Sequence, residues 1–356
     1  MASKELSSDL IYDIISRTPS LKTLDICKTV CKEWKKLIYE ANFMPLYCQR
    51  TNNVFGYFVQ DLKHNEHFSE FVSFDQQDGT TSSPPNIRSC FPRNTRILAS
   101  CMSQGILCCQ RLQGSRYRYY VCKPTTGQWR ALPNPKIRYR TTAVAMRVVR
   151  TSPALRYKIV RLSEPRVGPK IGYHTHRCEV FDSQEWKWRR LQDLNLPYPE
   201  FIIMSTPSVF VGNSVYWRTN KDNVVEFNED NESFNRFSLP EYVHNGCKSM
   251  QLIEYEGGLG LICSREDDHC FELWIRKEMA WRRKMEVDIK NVDKYASPVG
   301  FYNAGIAFLK AFNEVLFYKI QDRSVRRWKL HELWSAREVF QFRSDFEIVD
   351  LGSRKS

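Results

Sequence analysis

No apolar run in this 356-residue chain approaches the roughly 18 to 20 residues that a membrane-spanning helix requires. Runs such as Phe201-Ile202-Ile203-Met204 and Ile306-Ala307-Phe308-Leu309 stop far short, so no membrane helix and no membrane partner are expected. Met1-Ala2-Ser3-Lys4-Glu5 also lacks the apolar core of a secretory leader. The first segment is therefore expected to be retained, with synthesis in the cytosol and residence in cytoplasm and/or nucleus. Cysteine is not scarce, at twelve, but the regular spacing of a disulfide framework is missing. Reduced thiols are expected, most of them as small core residues.

The motifs of catalysis are missing too. There is no glycine-rich phosphate loop followed by Lys-Ser or Lys-Thr, and no Gly-x-Ser-x-Gly elbow. Gly257-Gly258-Leu259-Gly260 lies between strand-like runs rather than ahead of a helix. His64 and His67, and His174, His176 and Cys178, lack the separated ligand pairs of a zinc site. Cys27 and Cys31 are four apart on helical segments, where packing explains them better than redox chemistry. Asp267-Asp268 beside Arg265 and His269 reads as a solvated turn. No catalytic residue, metal or cofactor is expected.

What the chain has is 42% hydrophobic residues, enough for one large core or a small domain beside a larger one, and a net charge of +13. Arg138-Tyr139-Arg140, Arg189-Arg190, Arg282-Arg283-Lys284 and Arg326-Arg327 spread that charge along the chain rather than in one tail. A solvated basic surface and a ligand-facing patch both remain open.

Near the N-terminus, Ser7-Ser8-Asp9 offers helix-capping side chains. Leu10, Ile11, Ile14 and Ile15 then recur with helical spacing, predicting four apolar side chains on one face. Thr18-Pro19 breaks this helix and places proline in the first turn of a second one through Leu21 and Leu24. A third segment carries Val30, Trp34, Leu37 and Ile38, with Lys28, Lys32, Lys35 and Lys36 as its wet side. About 40 residues are at the lower edge of independent stability, so the apolar stripes need the following domain or a partner. Docking module and helical cap are equally compatible with this periodicity.

The run from Leu6 through Pro19, followed by Leu24, Val30-Cys31-Lys32-Glu33-Trp34 and Leu37-Ile38, resembles an F-box. The resemblance implies a three-helix module over residues 1–45 that docks a Skp-family adaptor and, through it, a cullin scaffold. Its docking residues would be Leu6, Leu10, Ile11, Ile14, Ile15, Pro19, Leu24, Val30, Cys31, Trp34, Leu37 and Ile38. Ser7 stands where F-boxes usually carry proline, which loosens the approach to the helix. Thr18 stands where they usually carry leucine, which removes apolar contact.

Beyond Phe43-Met44-Pro45 the pattern turns to short β-rich segments, and Gln76 to Pro85 reads as a surface loop. A weak repeat recurs there. Cys122 with Trp129, Phe181 with Trp188, Phe227 with Phe234, Trp274 with Trp281, and Tyr318 with Val325 are each seven apart, and Leu132, Leu191, Phe237, Lys284 and Trp328 follow three later. The first members lie 59, 46, 47 and 44 residues apart, close to the roughly 40 to 50 residues of a four-stranded propeller blade. Gly212-Asn213 marks a turn inside one of the intervening strand pairs. The fold expected is mainly β, a helical module followed by a β-propeller-like domain over residues 46–356. The aromatics are expected in its core.

The run Tyr119 to Pro133 resembles the opening motif of the plant F-box-associated, or F-box and kelch-like, interaction domain, and Ser208–Trp217 and Glu254–Leu261 resemble later motifs of it. That resemblance implies the substrate-recognition subunit of a Skp-cullin-F-box (SCF) ubiquitin ligase, a non-catalytic adaptor recruiting an unknown protein substrate. The rival is a basic propeller binding nucleic acid or another polyanion, suggested by Arg116-Tyr117-Arg118-Tyr119 and Arg138-Tyr139-Arg140. Nucleic acid is the less expected partner.

Overall fold

The computed structural model describes residues 6–40, 43–51, 53–74, 87, 91–114, 116–136, 139–150, 154–165, 172–204, 206–243, 247–265, 269–292, 295–330, 333 and 335–352. The loop expected at 76–85 and the Asp267-Asp268 turn lie outside the described residues. Among the described residues, no helix is long and apolar enough to cross a membrane.

The chain opens with helices α1 (Ser8–Ile15), α2 (Leu21–Val30), α3 (Lys32–Ile38) and α4 (Phe43–Thr51). Ser7 caps α1 by accepting from the Leu10 amide, so the serine in place of proline satisfies one of the free amides at the helix start. Thr18 donates its hydroxyl to the Ile15 carbonyl and closes the other end. Pro19 does not enter the first turn of α2: Ser20 is the N-cap, accepting from Thr23, and proline precedes it. Cys31 caps α3 with its sulfur, 3.5 Å from the Trp34 amide, and is exposed. Capping rather than packing explains this cysteine. Helix α4 carries helical backbone past residue 45, because Phe43 and Tyr47, one turn apart, are both fully buried.

Among the described residues, six antiparallel sheets follow as a β-propeller. The second blade runs from inside outward as Thr95–Cys101, Ile106–Gln113, Arg116–Lys123 and Gln128–Ala131. The third runs Arg140–Arg150, Arg156–Glu164, Tyr173–Asp182, Lys187–Arg190, with Leu194–Pro197 also pairing to Tyr173–Asp182. The fourth begins at Val209–Val211, the fifth at Cys247–Tyr255 and the sixth at Ser297–Asn303, each four strands in chain order. The first blade is composite. Glu338–Ser344, near the C-terminus, pairs with Val54–Lys63, which pairs with Glu66–Val72. Pairing the last described strand with the first closes the ring and leaves only short edges at the outer strand of each blade. Polar side chains reinforce that closure. Gln60 joins the Ile97 backbone and Glu338, Arg96 pairs with Glu338 at 2.6 Å, and buried Lys123 pairs with Asp345.

Four of the five seven-residue pairs face each other across a hairpin: Cys122 and Trp129, Phe181 and Trp188, Phe227 and Phe234, Tyr318 and Val325. Trp274 and Trp281 do not. Their hairpin closes on the two-residue turn Glu278-Met279, both in the left-handed region, so Trp281 faces Arg276 and Trp274 faces Arg283. The shift also accounts for Lys284, which stays exposed while Met285 packs against the core. The expected turn at Gly212-Asn213 is present between Val211 and Ser214.

One expectation about cysteine is overturned. Cys247 and Cys263 are joined as a disulfide across the first two strands of the fifth blade, with Cα atoms 6.3 Å apart. Sequence spacing could not show this, because antiparallel pairing rather than proximity along the chain brings them together. Seven of the described free cysteines are buried, as expected for small core residues.

Candidate functional site

The helical module meets the propeller through a shared core. Ile11, Ile15, Leu21, Leu24, Leu37, Ile38, Phe43 and Tyr47 pack in one cluster with Phe55, Tyr57, Tyr302 and Phe308. The four apolar residues of α1 therefore do not share one environment: Ile11 and Ile15 turn inward, whereas Leu10 and Ile14 are 46% and 47% exposed. Helix α2 repeats the division. Leu21 and Leu24 are buried, while Ile26 and Val30, one turn apart, are 55% and 56% exposed. Of the twelve residues singled out in the sequence, Ile11, Ile15, Leu24, Leu37 and Ile38 are core; Leu6, Leu10, Ile14, Pro19, Val30 and Cys31 are exposed; Trp34 is half-buried. Ile26 was missed, although its i, i+4 relation to Val30 was visible. Two apolar pairs on helix surfaces are thus left uncovered.

Charge fixes this module in place. Asp25 accepts from Lys28 at 2.8 Å and from Arg343 of the ring-closing strand at 3.0 Å. Burial pushes the Asp25 carboxyl up, but the charges of Arg343 and Lys28 outweigh it and hold it below the usual carboxylate range. Lys28 is therefore not on the wet side. It lies over the Tyr39 ring at 5.9 Å, and its pKa is lowered by burial and by Arg343. Within the module, Ser8 donates to Glu33 at 2.7 Å and Arg50 to Asp13 at 2.8 Å. The helices and the inner strands together line a partly open cavity of about 510 Å³, bordered by Asp25, Lys28, Tyr39, Gln251, Tyr302 and Arg343 among others.

The helices sit over the ends at which the inner strands finish, since Arg343, Met102, Gly257 and Asn303 line or touch them there. The turns joining second to third strands, and outer strands to the next inner strand, therefore emerge at the opposite end. That far face carries exposed Leu112, Tyr117, Tyr173, Tyr198, Phe201 and Phe312. His174 stacks on Tyr198 with ring centroids 5.2 Å apart and lies edge-on to Phe201. The two ends of the ring thus present apolar surface in opposite directions.

No group of three or more His, Cys, Asp or Glu that could hold a metal ion occurs among the described residues. His176 is buried with Nδ1 3.4 Å from the Thr142 hydroxyl, and burial, with a contribution from His174, lowers its pKa to about 4. Gly257-Gly258 belongs to a hairpin in which Tyr255 faces Gly258. The aromatic-basic runs are divided by the sheet: Tyr119 is buried, with Arg161 over its ring, while Arg118 is exposed.

Among known proteins, the family described as F-box associated beta propeller domain matches residues 57–349. The F-box protein At5g41720 of Arabidopsis thaliana is 33% identical over 195 residues, covering 51% of this chain and 100% of that one. The F-box protein At5g49610 of the same plant is 25% identical over 346 residues, covering 90% of this chain and 89% of that one. Among solved structures, TolB from Acinetobacter baumannii reaches a TM-score of 0.48 at 9% identity, over 87% of this chain and 73% of that one, too loose a likeness to carry an argument. A match over most of the chain, a six-bladed ring and F-box relatives agree: the chain belongs to the F-box associated beta propeller family.

Proposed function

We propose that the chain is the substrate-recognition subunit of an SCF ubiquitin ligase. Helices α1 to α3 act as an F-box that docks a Skp-family adaptor, and through it a cullin, while the far face of the propeller recruits a protein target. The observation that carries this reading is the pair of uncovered apolar stripes, Leu10 with Ile14 and Ile26 with Val30, on a module whose other side is sealed against the propeller. The propeller family and the F-box relatives support such a role in general. Its contribution to ubiquitination is proximity: holding the target near the ligase's catalytic partners raises its effective concentration without side-chain chemistry in this chain.

The test is co-purification of the full chain with a Skp-family adaptor. Wild type is expected to retain the adaptor, and Leu10→Asp/Ile14→Asp to lose it while keeping its circular dichroism spectrum. Retention by the double variant, or no association of the wild type, overturns the reading. Exposed positions are the sound choice here, because Leu37 and Leu24 are core and their loss would confound docking with folding.

A further inference from the structure

Basic clusters are spread along this chain, but its net positive charge is not. Between Asp78 and Glu164 there are 85 residues without one Asp or Glu, and they hold 16 of the 53 basic residues. The other 271 residues carry 37 basic against 40 acidic ones. The whole excess of +13 therefore originates in residues 79–163, which lead into and include the second blade and the first half of the third.

Acidic residues from elsewhere in the fold neutralise part of it. Glu338 pairs with Arg96, Asp345 with Lys123, Glu229 with Arg147, Asp182 with Arg156 and Glu179 with Arg161. Of the basic residues in no ion pair, Arg93, Arg111, Arg116, Arg118, Lys136 and Arg140 lie toward the far face, whereas Arg150 and Lys158 lie toward the helices. Across the hairpin of the second blade Arg111 stands directly opposite Arg118, and Gln113 opposite Arg116. Directly opposed side chains share one face of the sheet, about 5 Å apart at Cβ, and the next pair on that face lies about 7 Å along the strand. Arg111, Arg116 and Arg118 thus occupy neighbouring positions on one face of the hairpin, with Cβ atoms about 5 to 7 Å apart from one to the next, and among the described residues none of them is in an ion pair with a carboxylate. Arg116 and Arg118 are exposed, as are Arg93 and Lys136 in the adjoining turns at the same end of the blade. Like charges directly opposite one another destabilise a hairpin, and guanidiniums cannot lose theirs. An anionic partner would relieve that repulsion.

We propose that the far face of the second blade, centred on Arg111, Arg116 and Arg118, binds an acidic segment of the recruited protein. This rests on the reading of that face as the target-recruiting one and names the target's chemistry. The patch is compact, matched to two or three neighbouring carboxylates through paired guanidinium hydrogen bonds. It does not have the layout of a single-strand nucleic-acid site, which needs basic and stacking groups along one groove. Strand alternation sends Leu112 and Tyr117 to the other face of the sheet from the three arginines; the aromatic on their own face, Tyr120, is half-buried, packed edge-on against Trp129 and held through its hydroxyl by Gln113.

The test uses the full chain, a fluorescein-labelled octaglutamate peptide, a labelled 20-nucleotide oligo(dT), and two variants. Arg111→Gln/Arg116→Gln/Arg118→Gln removes the patch. Arg189→Gln/Arg283→Gln/Arg327→Gln removes the same charge from other blades. The expected result is peptide binding that weakens with salt and falls at least about tenfold in the first variant but less than about threefold in the second. Equal losses in both variants, no measurable peptide binding by wild type, or tighter binding of oligo(dT) than of peptide through the same arginines would each overturn the proposal. Skp-adaptor association, measured in parallel, is expected to be unchanged in both variants. Its failure in wild type would count against the ligase reading rather than against the acidic-segment site.

Discussion

Replacing Asp25 by asparagine tests how firmly the helical module is held on the propeller. Arg343 is 8% exposed and Asp25 31%, with the Arg343 guanidinium 3.0 Å from the carboxylate and 3.3 Å from the Met102 carbonyl. Breaking a fully buried pair by removing one partner costs about 3 to 5 kcal/mol, because the other charge is stranded. The one-third exposure of Asp25 lets water screen part of this, so about 2 kcal/mol is expected for Asp25→Asn. Arg343→Met removes the more deeply buried charge and leaves Asp25 with Lys28, so it should cost about 1 kcal/mol less. Urea unfolding of both single variants and the double variant gives the coupling directly, expected at about 1 to 2 kcal/mol. Additive losses within about 0.5 kcal/mol would refute the argument. Because the folded-state pKa of Asp25 is depressed, its contribution is present above the unfolded value of 3.8 and is lost as the pH falls through the folded one. Asp25→Asn should remove that part of the acid limb.

Gly105 has φ +61°, and an added Cβ would lie 2.7 Å from Ser344 Cα in the ring-closing strand; Gly105→Ala should cost about 2 to 4 kcal/mol by thermal unfolding. Gly114, at φ +58° with open space around it, should cost only about 1 kcal/mol on the same change. His176, held near pKa 4 by burial, is neutral in the fold and binds its proton readily only when unfolded. Stability should therefore fall by about 2 kcal/mol between pH 7.5 and pH 5 on its account, and His176→Gln should flatten that limb in pH-dependent unfolding. Ending the chain before Glu338 removes the strand that pairs with Val54–Lys63, and unfolding of the truncated protein should lose its single cooperative transition.

The blades were legible where their chemistry is local. Seven-residue spacing is what a four-residue turn imposes on facing partners, and it located four hairpins that the structure contains. It failed at Trp274 and Trp281, where a two-residue turn changes the register. The first blade was invisible for a related reason: His64-Asn65 is a two-residue turn, and the third partner strand comes from residues 338–344. Periodicity placed α1 to α3 but not their inward sides, since Leu10 and Ile11 are adjacent in the chain and only the position of the propeller decides which is covered. The acid-free stretch was present in the sequence all along. Clusters of Lys and Arg did not reveal it, because the signal is the missing carboxylates, not the spacing of the cations.

Calorimetric titration of the purified full-length chain with a purified Skp-family adaptor tests the central claim most directly. The account predicts saturable one-to-one binding that Leu10→Asp/Ile14→Asp weakens by about 100-fold, the loss of two half-exposed side chains' worth of apolar burial at about 1.5 kcal/mol each. Binding unchanged in that variant, or absent in the wild type, would contradict it.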